Sequence, residues 1–303
     1  MSPTFSGSYV ALPTPFTGAG TVDLDAFRGL VELHAAAATR GIVVCGTTGE
    51  AATLSERERC GLVDAAVEYA AGRLQVVAGV GTNATRTSVA LARFAASRGV
   101  DGLLVVTPYY NRPSRRGLVD HLVTVAEATE APVMLYNVPT RTGTDLLPEW
   151  AREVARRSAN VVAIKEATRD PDRIRAVCGV EELAVLCGED LAIAEFVRAG
   201  ATGTVSVVAN LLPDAVAELV EAARPRGDPA RADALAARLG PLARSLFVET
   251  NPVPVKAALA RMGHCKEHVR SPLAPLEETS RTLLADTLTS YGKELPAPAL
   301  TSA

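Results

Sequence analysis

Lysine is scarce in this chain. Of the 31 basic residues only Lys165, Lys256, Lys266 and Lys293 are lysines, and Lys165 is the sole lysine before position 256. Long apolar runs are missing too: none reaches the roughly 18 residues of a membrane-spanning helix. There is no basic block and no basic-aromatic stripe, and the net charge of −3 comes from interspersed signs, so neither nucleic acid nor an anionic membrane is an expected partner. Met1–Gly7 lacks a basic region followed by an apolar stretch, so no secretory signal is expected. The five cysteines (Cys45, Cys60, Cys178, Cys187, Cys265) are odd in number and form no CxxC pair, as expected of reduced thiols in a cytoplasmic protein. Of four histidines only His264 and His268 share a helical spacing. They lack a third ligand and a HExxH context, so a solvated helix surface is expected there and no metal site.

Short β-branched apolar runs recur about every 30 residues: Ser8–Leu12, Ile42–Cys45, Gln75–Val80, Gly102–Thr107, Val133–Asn137, Val161–Lys165, Leu183–Cys187 and Gly203–Val208. Between them lie amphipathic, alanine-rich stretches of helical period, such as Asp25–Thr39, Glu56–Ala71, Thr87–Ser97, Leu118–Thr129 and Leu191–Ala199. Ser55 followed by Glu58 has capping-box spacing. Eight such units predict an α/β fold of the TIM (β/α)8 type, strands inside and helices outside. The break Pro225-Arg226-Gly227-Asp228-Pro229 divides residues 1–226, the barrel, from 227–303, a small all-helical C-terminal domain. Its expected helices are Arg231–Leu239, Leu242–Phe247, Val255–Met262 and Glu277–Ser290, followed by a frayed tail from Leu295. The string Gly79-Val80-Gly81-Thr82-Asn83-Ala84 imitates a dinucleotide fingerprint, with Asp101 further on. It follows the third strand and its acid precedes the fourth, so it is read as a decoy.

A barrel's active site forms at the carboxyl ends of its strands, and the unusual polar residues cluster there. Thr47, Thr48, Gly49 and Glu50 follow the second predicted strand, and Tyr109 and Tyr110 the fourth. Tyr136 closes the fifth, Arg141 lies in the loop beyond it, and Lys165 closes the sixth. An arginine stays protonated, whereas a desolvated lysine can lose its proton and act as an amine nucleophile, so Lys165 is a candidate Schiff-base lysine. Tyr136, one βα unit away, is expected at the same level and can serve as a proton shuttle, with Thr47 relaying to a second tyrosine. Consecutive amides in Gly46-Thr47-Thr48-Gly49 make a seat for a carboxylate, and Arg141 can hold another, which implies two acidic substrates. Competing readings pair Lys165 with a structural carboxylate such as Glu166, place Tyr109 and Tyr110 in the core or an interface, and put Arg141 in a surface ion pair. Glu50 is read as a buttress of its turn.

The strings Gly46-Thr47-Thr48-Gly49-Glu50, Thr107-Pro108-Tyr109-Tyr110-Asn111-Arg112-Pro113, Tyr136-Asn137-Val138-Pro139-Thr140-Arg141-Thr142-Gly143, Ile164-Lys165-Glu166-Ala167 and Asn251-Pro252-Val253-Pro254-Val255-Lys256 resemble those of the 4-hydroxy-tetrahydrodipicolinate synthase family. That family sits within the pyruvate-dependent class I aldolases and lyases, and the resemblance runs from about Gly7 to about Thr287. It implies a lyase of lysine and diaminopimelate biosynthesis whose Lys165 forms an imine with pyruvate. By the same resemblance Tyr136 is the general acid/base, linked through Thr47 to a Tyr110 that reaches in from a neighbouring subunit. Thr47 and Thr48 hold the pyruvate carboxylate, Arg141 that of L-aspartate 4-semialdehyde, and Gly188 and Val205 line the site. No metal or organic cofactor and a homotetramer are implied as well. Arg141 and the Tyr-Tyr-Asn-Arg-Pro run separate this reading from its alternatives, a lyase of the N-acetylneuraminate or 2-keto-3-deoxy sugar acid type or a non-catalytic keto-acid-binding paralogue. The chain departs from lysine-inhibited members at Glu56, Arg59 and Thr87, while keeping Asn83 and Tyr109, so weak or absent feedback by L-lysine is expected.

Overall fold

The computed structural model describes residues 5–292 and 295. The expected tail beyond Leu295 and the first four residues of Met1–Gly7 lie outside them. Eight parallel strands close into a barrel in sequence order, β1 pairing with both β2 and β8. They are β1 (Gly7–Ala11), β2 (Gly41–Val44), β3 (Gln75–Gly79), β4 (Gly102–Val106), β5 (Val133–Asn137), β6 (Val161–Glu166), β7 (Ala184–Cys187) and β8 (Gly203–Ser206). Their buried Val, Ile, Leu and Ala side chains fill the interior and the layer beneath the helices, which is why the strands read as apolar runs without alternation.

The outer ring is α1 (Leu24–Ala35), α2 (Glu56–Ala70), α3 (Thr85–Ser97), α4 (Arg115–Ala126), α5 (Pro139–Thr142), α6 (Pro148–Arg157), α7 (Pro171–Cys178), α8 (Ile193–Arg198) and α9 (Pro213–Ala222). Side-chain caps start several of them. The capping box of Ser55 and Glu58 is formed at α2, and Asp23, Ser114 and Asp170 accept from backbone N–H groups at α1, α4 and α7. Three more helices follow: α10 (Pro229–Ser245), α11 (Val253–Arg261) and α12 (Glu278–Tyr291). Helix α10 packs on α8, α9 and α12, and α12 also on α11. No helix among the described residues is long and apolar enough to cross a membrane.

Three local expectations need correction. The stretches Arg231–Leu239 and Leu242–Phe247 are one helix, α10, running through Pro241. Buried Leu235, Leu239, Leu242 and Leu246 keep helical spacing across the proline, so packing outweighs the one hydrogen bond it removes. His264 and His268 do not share a solvated helix face: α11 ends at Arg261, Gly263 just beyond it turns the chain with a φ of 82°, and His264 N–H donates back to the Leu259 carbonyl, its side chain buried. The eighth strand stops at Ser206 because Asp190 accepts from the Val207 and Val208 amides and from the Ser206 hydroxyl, bending the chain into a 3-10 turn.

The decoy reading of the glycine string has a packing basis. A Cβ on Gly79 would lie 2.1 Å from the Cys45 carbonyl oxygen, and one on Gly81 2.4 Å from the Val106 nitrogen, so both glycines serve close approach of neighbouring barrel segments. Asp101 accepts from Val76 N–H ahead of β4, at the opposite end of the barrel from the site described below.

Two buried histidines tie helices to their surroundings: His34 Nδ1 lies 3.0 Å from Thr39 Oγ1, and His121 Nδ1 2.9 Å from Thr85 Oγ1. Burial pushes His34 down to about 3 and His121 to about 4. In the unfolded chain both titrate near ~6.5, so below that pH the unfolded state binds protons that the folded state refuses, and stability rises with pH from about 3 for His34 and about 4 for His121 up to about 6.5. Thermal melting is therefore expected to weaken as pH falls through that window, and His121→Gln to flatten the fall. Equal slopes in the two proteins would refute this role for His121.

Candidate active site

The register of β5 and β6 sets Tyr136 directly beside Lys165. Both side chains are nearly buried, and Lys165 Nζ stands over the Tyr136 ring, 4.3 Å from its centroid. Successive strand residues point to opposite sides, so Glu166 faces away from the barrel interior. Its carboxylate accepts from Asn137 Nδ2 at 3.1 Å and pairs with Arg173 Nε at 3.2 Å, while burial raises it above the usual carboxylate range. Pairing of Lys165 with Glu166 is thereby ruled out, and among the described residues no carboxylate comes within ion-pair distance of Lys165.

One cavity of about 200 Å³ gathers Lys165, Tyr136, Thr47, Thr48, Arg141, Gly188 and Val205. Seven of the eight residues expected at a site therefore converge. Among the described residues the N–H groups of Thr47 and Thr48 donate to no carbonyl and Thr47 Oγ1 has no partner, which leaves a concave donor set open to a carboxylate. Thr48 Oγ1 accepts from Asn251 Nδ2 at 3.0 Å, and Arg141 Nη2 donates to the Asn251 carbonyl at 3.2 Å. The rest of the Arg141 fork has no partner among the described residues, so it is available to an anion.

The eighth residue, Tyr110, stands apart. It is 90% exposed with φ of 71°, and it lines none of the cavities around the site. Its neighbour Tyr109 does line a second cavity, of about 340 Å³, which shares Thr47, Tyr136 and Arg141 with the first. A third, of about 230 Å³, brings together Glu56, Arg59, Asn83, Thr87 and Tyr109. Arg59 is buried there, with Nε and Nη2 donating to the Ala51 carbonyl and Nη1 unpartnered.

Sequence reasoning missed Asn251, Glu189 and Phe247 as residues of the Lys165 cavity. For Asn251 a signal existed, the Asn-Pro-Val-Pro-Val-Lys string; for the other two only the fold brings them to the mouth.

Comparison with known proteins places the chain in a family. The model of the dihydrodipicolinate synthetase family matches residues 4–291. The chain belongs to this family. The 4-hydroxy-tetrahydrodipicolinate synthase of Anaeromyxobacter sp. (strain K) is 45% identical over 95% of this chain and 98% of its own length. Among solved structures, the dihydrodipicolinate synthase of Aquifex aeolicus superposes with a TM-score of 0.93 at 41% identity, covering 96% of this chain and 99% of that one. The chloride-inhibited enzyme of Acinetobacter baumannii, solved with pyruvate, gives 0.92 at 40% identity and covers 95% of this chain and 99% of that one.

Within this family member the fit between Lys165 and its neighbours is tight. A Cβ on Gly188 would lie 2.8 Å from Lys165 Cε and 3.0 Å from Cγ. The lysine is the flexible partner, so Gly188→Ala is expected to fold normally and to displace the amine. A fall of at least about tenfold in the rate of borohydride-trapped keto-acid adduct is predicted, since small misplacements of reacting groups are costly. An unchanged rate in a folded variant would show that Gly188 does not set the position of Lys165.

Proposed function

We propose that this protein condenses pyruvate with L-aspartate 4-semialdehyde to give 4-hydroxy-tetrahydrodipicolinate, the entry step of diaminopimelate and lysine synthesis. The observation that carries the reading is a buried amine beside a phenol, in one cavity with Thr47, Thr48 and Arg141 as candidate anion donors. In this mechanism Lys165 attacks the pyruvate ketone and loss of water leaves an imine. Pyruvate's carboxylate rests on the amides and hydroxyls of Thr47 and Thr48. The imine draws electrons from the adjacent methyl, which loses a proton to give an enamine, and Tyr136 carries that proton. The enamine carbon bonds to the aldehyde carbon, whose oxygen takes up a proton. The amino group of the second substrate then attacks the imine carbon, closing the ring and expelling the Lys165 amine. Arg141 holds the second carboxylate, and Gly188 and Val205 shape the walls. Because the imine is itself the electron sink, the proposed chemistry draws on no metal or organic cofactor.

An exposed Tyr110 on a loop beside the site supports assembly as a homotetramer, in which the tyrosine of one subunit completes the relay through Thr47 of another. All five cysteines are unpaired, in keeping with a cytoplasmic protein. The regulatory reading also rests on charge: Arg59 puts an unpartnered guanidinium N–H where a cationic effector would have to bind, and Thr87 offers no carboxylate to its amino group.

Turnover of the two substrates, coupled to dihydrodipicolinate reductase and followed by NADPH consumption, tests the reading. Lys165→Arg is expected to abolish turnover, because a guanidinium keeps the charge and cannot form the imine. Arg141→Leu is expected to raise KM for the aldehyde by at least about tenfold, as loss of a charge-assisted bidentate contact does. Absence of turnover, with pyruvate still trapped on Lys165, would assign the chain to a different aldehyde. In the same assay L-lysine is expected to leave the rate unchanged up to low-millimolar concentrations, and inhibition in or below that range would contradict the role given to Arg59 and Thr87.

A further inference from the structure

Lys256 and Glu50 form an ion pair with both side chains sealed from solvent, 0% and 1% exposed, and an Nζ to Oε1 distance of 2.6 Å. Lys256 Nζ also donates to the Thr14 carbonyl at 2.9 Å and stands 4.2 Å from the Phe16 ring centroid, so its polar capacity is fully used. The other oxygen of Glu50, Oε2, accepts from Arg270 N–H at 3.0 Å. Neither residue lines the cavity around Lys165.

Their contacts converge on one short segment. Glu50 adopts a left-handed backbone with φ of 53°, as does Cys45 at the other end of the turn, a conformation that side-chain-bearing residues adopt only when their surroundings impose it. Between them lie Thr47 and Thr48 with their unpartnered amides. Thr14 Oγ1 donates to the Gly49 carbonyl at 2.7 Å, so the loop after β1 grips the same turn whose last residue is gripped by α11 and by the segment at Arg270.

A buried ion pair is poor grounds for stability, because desolvation offsets its attraction and apolar replacements of similar volume are often tolerated. We propose that Glu50 and Lys256 are positioning residues: the pair fixes the left-handed end of the Cys45–Glu50 turn and so aims the Thr47 and Thr48 donors at the carboxylate of the keto acid. The inference rests on the pyruvate reading above and goes beyond it by assigning carboxylate affinity to a lysine some 200 residues away in sequence.

The test uses the full-length protein and pyruvate as probe, with borohydride trapping followed by intact mass across a pyruvate titration. Two variants are compared with the unaltered chain: Glu50→Leu combined with Lys256→Met, which removes both charges, and Glu50→Gln, which keeps volume and one of the two contacts. Half-saturating pyruvate is expected to rise at least about tenfold in the first and about threefold in the second, with native circular dichroism. KM for the aldehyde in the coupled assay is expected to stay within about twofold, since Arg141 is not held by the pair. An unchanged pyruvate dependence in a folded variant overturns the proposal. So does an equal rise for both substrates, which would mean general loosening, or failure of both variants to fold, which would make the pair a requirement of the fold. If the unaltered chain traps no pyruvate, the reading of Lys165 falls and this inference with it; if it does trap pyruvate and the variants match it, only this inference falls.

Discussion

An amine buried against the face of a phenol, with no carboxylate among the described residues within ion-pair distance, is the constraint around which the upper barrel is organised. The fold denies Lys165 a counter-ion by sending the adjacent Glu166 to the other side of its strand, where Arg173 and Asn137 occupy it. The contrast with Lys256 is instructive. It too is sealed in the interior, yet it meets Glu50 head-on and spends every N–H on fixed acceptors or a ring. Of two buried lysines in a chain that otherwise prefers arginine, one is held in a permanent pair and the other is kept free to react.

Barrel closure supplies the rest of the geometry. Parallel pairing of β5 and β6, with a register shift between Val133 and Met134, places Tyr136 and Lys165 side by side without any loop having to be positioned. Loops then bring the anion donors: the turn after β2 from one side, the short α5 with Arg141 from another, and Asn251, ahead of α11, bridging the two through Thr48 and Arg141. Glycines at close contacts complete the fit, most directly Gly188, which leaves just enough space for the lysine side chain. The reacting pair therefore sits on rigid strand ends, while Lys256 of α11 and the segment at Arg270 brace the turn after β2.

Much of this was legible in the residues because the barrel is periodic. Eight apolar runs, the Ser55–Glu58 capping box and the one-unit offset between Tyr136 and Lys165 each depend on local spacing, and spacing survives folding. The false dinucleotide string was also separable, since position in the repeat distinguishes a packing glycine from a phosphate-binding one. What could not be read were contacts between distant segments and local overrides of propensity. The pairing of Asn251 with Thr48, and of Lys256 with Glu50, joins residues more than 200 apart, and no periodicity encodes it. Helix α10 runs through Pro241 because its leucine stripe continues on both sides, and His264 is buried because Gly263 turns the chain back on α11.

The most direct measurement is a crystal structure of the protein reduced with borohydride in the presence of pyruvate. Continuous density is expected from Lys165 Nζ to the pyruvate-derived carbon, with the carboxylate seated on the Thr47 and Thr48 amides and Arg141 left open to a second anion. Density for a carboxylate on Arg141 with the Thr47–Thr48 turn empty, or no adduct on Lys165, would contradict the proposed mechanism.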